Sequence, residues 1–120
     1  MGTISESAIS HDDIFPTLCE MANAAWPKNI DGVSLMPTMT GRGQTKIKER
    51  LYWESPSNDG LMQAIRHGNF KGIRPKAFAP FELYDLKADP TESNDLAKNH
   101  SEIASRLEME MASLRIEAAR

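Results

Sequence analysis

The residue types that most often carry chemistry are few in this 120-residue sequence and lie far apart along it. Cysteine occurs once, at Cys19, so one chain can form neither an internal disulfide nor a cluster of thiolate metal ligands. The three histidines, His11, His67 and His100, have no spacing that matches a metal site or a nucleophile with its base. The sequence therefore predicts no catalytic residue and no metal ligand.

Composition and charge exclude several classes of partner. The net charge is -3, and no stripe of Lys and Arg alternates with aromatic residues, so we expect no nucleic-acid partner. No apolar run approaches the roughly 20 residues needed to cross a bilayer, so we expect no membrane partner. The start, MGTISESAISHDD, has no basic segment followed by an apolar one, and we see no export signal in it.

The elements that must position any site begin with a helix. Apolar residues recur at helical spacing in HDDIFPTLCEMANAAW, which predicts a helix over residues 13–25 with Asp13 as its N-cap. Pro27 should end it, because the residue before a proline avoids the helical region. Residues 27–44 carry turn signals around a short apolar patch and predict a packed loop, with one helical turn near residues 36–40.

The period then changes to that of strands. Four runs alternate in the manner of strands, at residues 48–55, 61–68, 69–74 and 81–86, with PSND between the first two and Gly68-Asn69 as a tight hairpin. Apolar residues then return to helical spacing, at Ile103, Leu107, Met111, Leu114 and Ala118. We predict an α+β fold in which an N-terminal helix and packed loop precede a roughly four-stranded antiparallel sheet, covered by a long C-terminal helix.

An acidic segment joins the last strand to that helix. Residues 85–97 read as a crossover that reverses the chain direction, with a turn at Asp89-Pro90. Leu96 is expected to close the end of the core.

These residues resemble a known family. The passage DDIFPTLCEMANAAWPKNIDGVSLMPTMTGRG is similar to the type I sulfatases, which are arylsulfatase-like members of the alkaline phosphatase superfamily. RLYWES, QAIRHGNFKGIR and FELYDLKADPTESNDLAKNHSEI follow in the order found in the C-terminal part of that family. The resemblance implies that residues 1–45 are the tail end of the catalytic domain and that residues 46–120 are the C-terminal subdomain.

The resemblance also implies where the chemistry resides. Sulfatases use a formylglycine, made from the Cys or Ser of a Cys/Ser-x-Pro-x-Arg motif, and a calcium ion, and both belong to the larger N-terminal domain. Cys19 lies in LCEMA, which has neither the Pro nor the Arg of that motif. We therefore expect no cofactor in this chain and no activity from it alone. Its expected partner is the remainder of the catalytic domain, and the uncovered N-terminal helix is a second expected site, for self-association. Sulfatases are often periplasmic, secreted or lysosomal, and this chain does not indicate which.

In the complete enzyme, the subdomain is implied to form part of the rim of the substrate pocket. An aromatic next to a carboxylate suits a sugar or aryl ring, which makes Trp53 and Glu54 candidates for substrate binding. The other candidates are Asn58 in the strand-end loop and the strand residues Gln63 and Arg66. The structural alternatives are that Trp53 fills the core between sheet and helix, and that Gln63, Arg66 and Arg74 simply face water.

Three functions remain open at this point. The first is a C-terminal fragment of an arylsulfatase-like enzyme with a structural role and a role at the pocket rim. The second is a free-standing interaction or sulfated-carbohydrate-binding module. The third, an independent small enzyme, lacks a candidate nucleophile with a base.

Overall fold

The chain folds into two compact units, residues 1–48 and 49–120. The structure, a computed structural model, describes residues 4–5, 7–43, 48–58 and 60–118. The predicted α+β class is confirmed, since helices and a loop precede a four-stranded antiparallel sheet and a C-terminal helix. The predicted boundary between residues 45 and 46 falls among residues 44–47, outside the described part, and the assignment of each unit to a sulfatase domain stays a prediction.

The first unit contains two helices, α1 (Ile14–Met21) and α2 (Met36–Met39). The second is the single helical turn predicted in this loop. A 3-10 turn, His11–Asp13, leads directly into α1, and Ser10 precedes it with extended backbone. Asp13 lies at the start of α1 as predicted, but its carboxylate caps no N–H of the following turn. Instead, its Oδ2 accepts a hydrogen bond of 2.9 Å from the backbone N–H of Ser10, as an acidic residue does in a capping box.

The helix α1 ends four residues earlier than predicted, at Met21 rather than at residue 25. Asn23 adopts the left-handed conformation, with φ 52°. Its N–H donates to the carbonyl of Glu20, and the N–H of Ala24 donates to that of Cys19. This pair of bonds is the Schellman motif, in which asparagine can take the place of glycine. Asn23, not Pro27, therefore ends the helix.

Buried polar groups of α1 hold the loop that follows it. Asp13 is 3% exposed and Thr17 is 6% exposed. The N–H of Val33 donates to Asp13 Oδ1, and the N–H of Leu35 donates to Thr17 Oγ1, each over 2.9 Å. Gly32 is required beside them, because a Cβ at this position would overlap the backbone carbonyl of Asp12. These contacts explain the spacing of D-x-x-x-T and I-D-G-V-S-L in the sequence.

The sheet of the second unit is a meander with the strand order β1-β2-β3-β4. Its strands are β1 (Arg50–Ser57), β2 (Gly60–His67), β3 (Phe70–Arg74) and β4 (Glu82–Asp85). The hairpin at Gly68-Asn69 is confirmed, with His67 paired to Phe70. The predicted PSND connection was too long, because β1 continues to Ser57 and pairs there with Gly60. Pro56 fits within β1 because β1 is an edge strand, where a missing N–H breaks no ladder bond.

The helix α3 (Ser101–Ala118) covers one face of this sheet and completes the core. Ile65 and Leu83 of the sheet, and Leu107 of the helix, are 0% exposed, and Met111 is 1% exposed. Burial of side chains of this size contributes roughly 1.5–3 kcal/mol each. The predicted stripe is confirmed for Leu107 and Met111, and Ile103 and Leu114 pack at its margin. The side chain of Ala118 lies outside the described part.

The acidic crossover closes the outer edge of β4. The N–H of Leu83 donates to Asp95 Oδ1 over 3.0 Å, and the N–H of Leu96 donates to the Leu83 carbonyl over 2.8 Å. Leu96 also packs against the core, as predicted. In the turn itself, the N–H of Asn94 donates to the carboxylate of Asp89 and holds the pKa of Asp89 below its ordinary value. The acidic side chains thus serve mainly as acceptors for backbone N–H groups.

Among the described residues, no helix has the length and apolar character required to cross a membrane.

The hydroxyl of Thr17 should contribute measurably to the stability of the first unit. Thr17→Val removes the acceptor of the Leu35 N–H and the hydroxyl donor to the Asp13 carbonyl, at a cost of about 1–3 kcal/mol. Hydrogen exchange of the Leu35 amide should accelerate accordingly. The matched control is Thr40→Val, since the Thr40 hydroxyl bonds the Met36 carbonyl at an exposed position, and it should change stability by less than ~0.5 kcal/mol. Equal effects of the two substitutions would contradict this account.

The close approach of β3 to Phe81 should make a larger residue at Gly72 destabilising. A Cβ at Gly72 overlaps the Phe81 ring, so Gly72→Ala should lower the free energy of unfolding by about 1–3 kcal/mol in urea denaturation. In a Phe81→Ala background, this further cost should fall near zero, because the space left by the ring accepts the methyl group.

The control for this cycle is Gly68→Ala. A Cβ at Gly68 meets nothing within 4 Å, and only its φ of +61° opposes an alanine, at a cost of ~1 kcal/mol. That cost should be the same with or without the Phe81 ring. Additive effects of Gly72→Ala and Phe81→Ala would show that the two residues do not clash.

Candidate functional site

A row of polar side chains crosses the helix-facing side of the sheet, next to the core. The strand register places Glu54 of β1 opposite Gln63 of β2, and Gln63 opposite Arg74 of β3. Two residues from Glu54, Gln63 and Arg74 along their strands lie Tyr52, Ile65 and Gly72, which form the neighbouring row on the same face. Leu83 of β4 continues that row. The apolar core therefore ends abruptly at a line of three hydrogen-bonding side chains, which we call the polar row.

Two ion pairs join the polar row to α3. Arg115 Nε lies 3.3 Å from Glu54 Oε1, and Arg74 pairs with Glu108. Glu108 and Arg115 are seven residues apart, which places them two turns from each other on the same side of the helix. Because these side chains are partly exposed, each pair contributes only ~0.2–1 kcal/mol. Their main effect is to position donors and acceptors, and to balance the charge of the row.

The phenol of Tyr52 connects the polar row to the core. Its hydroxyl donates to Glu54 Oε1, and Gln63 Nε2 donates to the Tyr52 oxygen over 2.8 Å and to Glu54 over 3.3 Å. Gln63 is 7% exposed, and its amide is satisfied by these bonds. Burial and the bond to Glu54 raise the pKa of Tyr52 to about 12. Tyr52 is therefore a neutral donor over the whole physiological range.

A cavity of about 620 Å³ opens at the end of the polar row. Its size lies within the range of small-molecule sites. Its lining is partly polar and partly apolar, and the apolar side chains come from Leu61 and the segment after β3. Phe78, in that segment, is 101% exposed and has a φ of 62°, which a bulky residue rarely adopts. The residues that line the cavity are Leu61, Gln63, Arg74, Ala77, Phe78, Ala79, Glu108 and Arg115.

The predicted substrate-binding residues separate into three places. Glu54 and Gln63 meet in the polar row. Trp53 and Arg66 lie on the opposite face of the sheet, since neighbouring strand residues alternate. Asn58 lies between β1 and β2, next to Asp59, which is outside the described residues. A role in substrate binding stays a prediction for each of them, but Trp53 and Glu54 do not face the same ring.

Both structural alternatives need correction. Trp53 does not fill the space between sheet and helix, because that face carries Tyr52 and Ile65 instead. Gln63 is buried rather than facing water, and Arg74 is paired with Glu108. Arg66, in contrast, donates only to the carbonyl of Gly68 among the described contacts.

Sequence reasoning missed Tyr52, Glu108 and Arg115. A signal for Tyr52 was available, because residues two apart in a strand share a face and Tyr52 precedes Glu54 by two. No local signal could identify the two helix residues, since their place above the polar row depends on how α3 lies across the sheet.

The described residues do not fit the groups that sulfatase chemistry requires. Cys19 lies within α1 and is half-buried, without the Pro and Arg that a formylglycine motif needs. In the described part of the chain, no group of three His, Cys, Asp or Glu side chains is arranged to hold a metal ion.

The raised pKa values of the two half-buried tyrosines can be tested by titration. Burial and the bond from its hydroxyl to Glu82 raise the pKa of Tyr84 to about 12 as well. Ionisation of the folded chain should therefore be delayed from about pH 10, the ordinary value, to about pH 12. Because the folded pKa is raised, the stabilisation is complete below pH ~10 and is lost as the pH rises through about 12.

Tyrosinate absorbance measures this delay without interference, because the chain has only two tyrosines. The urea-unfolded chain should titrate near pH ~10, whereas the folded chain should not. Tyr52→Phe should remove half of the amplitude at high pH. If half of the signal of the folded chain titrates at the ordinary value, one phenol is not held as described.

Comparisons with known proteins identify the family to which the chain belongs. Residues 1–117 match the family model described as N-sulphoglucosamine sulphohydrolase, C-terminal. A Delta 4,5-hexuronate-2-O-sulfatase of Bacteroides thetaiotaomicron is 36% identical over 93 residues, which cover 72% of this chain and 19% of that protein. An N-acetylglucosamine-6-O-sulfatase of the same organism is 31% identical over 121 residues, covering 89% of this chain and 22% of that protein.

The fold also matches that of a solved sulfatase structure. A solved 2-O GAG sulfatase superposes with a TM-score of 0.78 at 29% identity, covering 89% of this chain and 24% of the other. The chain thus spans about a fifth of the length of the relatives it matches. The resemblance inferred from the sequence is confirmed: the chain belongs to the N-sulphoglucosamine sulphohydrolase C-terminal family, the C-terminal part of sulfatases of the alkaline phosphatase superfamily.

Proposed function

We propose that this chain acts as the C-terminal part of a sulfuric ester hydrolase and has no hydrolytic activity by itself. The observation that carries the proposal is the family match over residues 1–117 together with a coverage of only about a fifth of each relative. The remaining length of such an enzyme would supply the catalytic part. A formylglycine and a calcium ion would provide ester cleavage there, and no residue of this chain is assigned to hold them.

The partner of this chain is accordingly the catalytic part of the enzyme, and α1 offers a surface for it. Ile14, Phe15, Leu18 and Met21 lie on α1 and are each more than half exposed. A continuous apolar surface of this kind is uncommon on a free-standing protein and common in an interface. In the isolated chain the same surface is free to meet a second copy, so self-association through it is part of the proposal.

The second unit contributes to the rim of the substrate pocket through the polar row and the adjoining cavity. The features that support this role are a buried amide, two oriented guanidinium groups and a neutral phenol, all with fixed hydrogen-bond partners. Groups held in this way can orient a substrate without taking part in bond cleavage. The names of the two relatives describe sulfatases that act on sulfated sugars. We propose the same broad substrate class for the enzyme that contains this chain.

The alternative of a free-standing sulfated-carbohydrate-binding module has less support. Sulfate recognition favours uncompensated Arg or Lys side chains. Arg74 and Arg115 are each paired with a glutamate. A sulfate bound to either guanidinium would therefore lie close to a glutamate and be repelled by it.

An exchange of parts tests the proposed function. The C-terminal part of the Bacteroides N-acetylglucosamine-6-O-sulfatase that matches this chain is replaced by this chain, and hydrolysis of that enzyme's substrate is measured. Hydrolysis should exceed that of the same enzyme with the part deleted, whereas this chain alone should give none. Formylglycine content is verified by mass spectrometry, so that a loss of activity is not a failure of maturation.

A matched pair of substitutions tests the docking surface within the same exchanged enzyme. Leu18→Glu places a charge on the exposed apolar face of α1 and should lower activity at least about tenfold, because an unpaired charge in an interface is costly. Met109→Glu places the same charge on an exposed position of α3 and should change little. Hydrolysis by the chain alone, or an exchange no better than the deletion, would contradict the proposal.

A further inference from the structure

We infer that the cavity beside the polar row is a binding site for an uncharged pyranose ring, recognised by its apolar face and its hydroxyl groups together. The inference rests on the proposed function, because it names the chemistry of the ring that the same rim would hold. It concerns a ring other than the sulfated one, which the catalytic part would bind.

The charges around the cavity disfavour a strongly anionic ligand. Arg74, Arg115 and Glu108 line the cavity; Arg74 is paired with Glu108, and Arg115 is paired with Glu54, which is outside the lining. A sulfate or carboxylate bound to either guanidinium would lie near the glutamate already paired with it, and repulsion between the two negative charges would oppose binding. An uncharged hydroxyl group, in contrast, can accept from a guanidinium and donate to a carboxylate without breaking either pair.

The lining matches the two kinds of surface on a sugar ring. Leu61, Ala77, Phe78 and Ala79 are apolar, whereas Gln63, Arg74, Glu108 and Arg115 carry polar groups. A pyranose has C–H groups on its faces and hydroxyl groups at its edge, so one ring can contact both kinds of side chain. The volume of about 620 Å³ accommodates a single ring with water around it.

Phe78 is the residue of the cavity that most favours a ligand with an apolar face. A phenylalanine that is fully exposed and held at a φ of 62° costs the protein twice, in hydrated apolar surface and in backbone strain. Stacking of a sugar ring on its face would recover part of the first cost. Its position on the cavity rim is the observation that points to a ligand with an apolar face.

The test is an NMR titration, in which each of three small probes is added to the 120-residue chain and the chemical-shift changes are measured. The neutral ring is methyl β-D-glucopyranoside, its charged counterpart is glucose 6-sulfate, and the acyclic control with similar hydroxyl groups is sorbitol. The neutral ring should shift the side-chain amide signal of Gln63 and the backbone amides around Phe78. Its affinity should not depend on salt, because no net charge is neutralised on binding.

Two variants separate the site from the rest of the surface. Phe78→Asn removes the ring but keeps a residue that tolerates the left-handed backbone, so the variant should fold and bind the neutral ring about 3- to 10-fold more weakly. Met109→Ala removes an exposed apolar side chain that does not line the cavity and should leave binding unchanged.

Each other result would overturn the inference. Binding of glucose 6-sulfate alone, weakening with salt, would make the cavity an anion site. Equal binding of sorbitol would remove the role of the ring face, and unchanged binding by Phe78→Asn would place the sugar elsewhere. Absence of any shift would leave Phe78 as a contact for the rest of the enzyme. Because these titrations use the chain alone, their failure is distinct from a failure of the exchanged enzyme to hydrolyse its substrate.

Discussion

Strand register is the constraint on which the second unit depends. Two-residue connections at residues 58–59 and 68–69 leave β1, β2 and β3 no freedom to slide past one another. In this register, every second residue of each strand lies on the face of the sheet that α3 covers, so one row buries Ile65 while the next aligns Glu54, Gln63 and Arg74. A slip of one residue would bring Trp53 under the helix and the polar side chains out to the other face. Packing and site therefore depend on the same hairpins.

The core that this register creates is small, and polar contacts complete it. Among the described residues, five buried apolar side chains form its central cluster, which is modest for a unit that carries a helix of 18 residues. The edge of β4 is closed by Asp95 and Leu96, and the far end of the sheet is closed by the polar row. In the first unit, Asp13 and Thr17 hold the loop in a similar way, by accepting hydrogen bonds from its backbone N–H groups. In the part of the chain that the structure describes, every buried side-chain N or O atom has a hydrogen-bond partner, which is what a low-dielectric interior requires.

Regular elements could be predicted from the sequence because their signals are local. The spacing of Leu107 and Met111 identified the covering face of α3, and Gly68-Asn69 identified a hairpin. The end of α1 was missed because asparagine at position 23 is a weaker signal than a following proline, although its left-handed backbone decides the matter. The pairing of Trp53 with Glu54 failed because adjacent strand residues point apart, and the ion pairs of Arg74 and Arg115 depend on the placement of α3, which no short stretch of sequence encodes.

The meander has a consequence for the order in which the chain acquires its structure. Every strand of the sheet pairs with its neighbour in sequence. The connections are short, and the longest joins β3 to β4 through residues 75–81. Contacts between near neighbours cost little loop-closure entropy, so such a sheet can assemble soon after its last strand leaves the ribosome. The helix α3 follows only after the crossover of residues 86–100, and until it arrives Ile65 and Leu83 are open to water. Within this unit, α3 is thus the element that removes Ile65 and Leu83 from water, so slow docking of α3 would prolong the exposure of an apolar sheet face to aggregation.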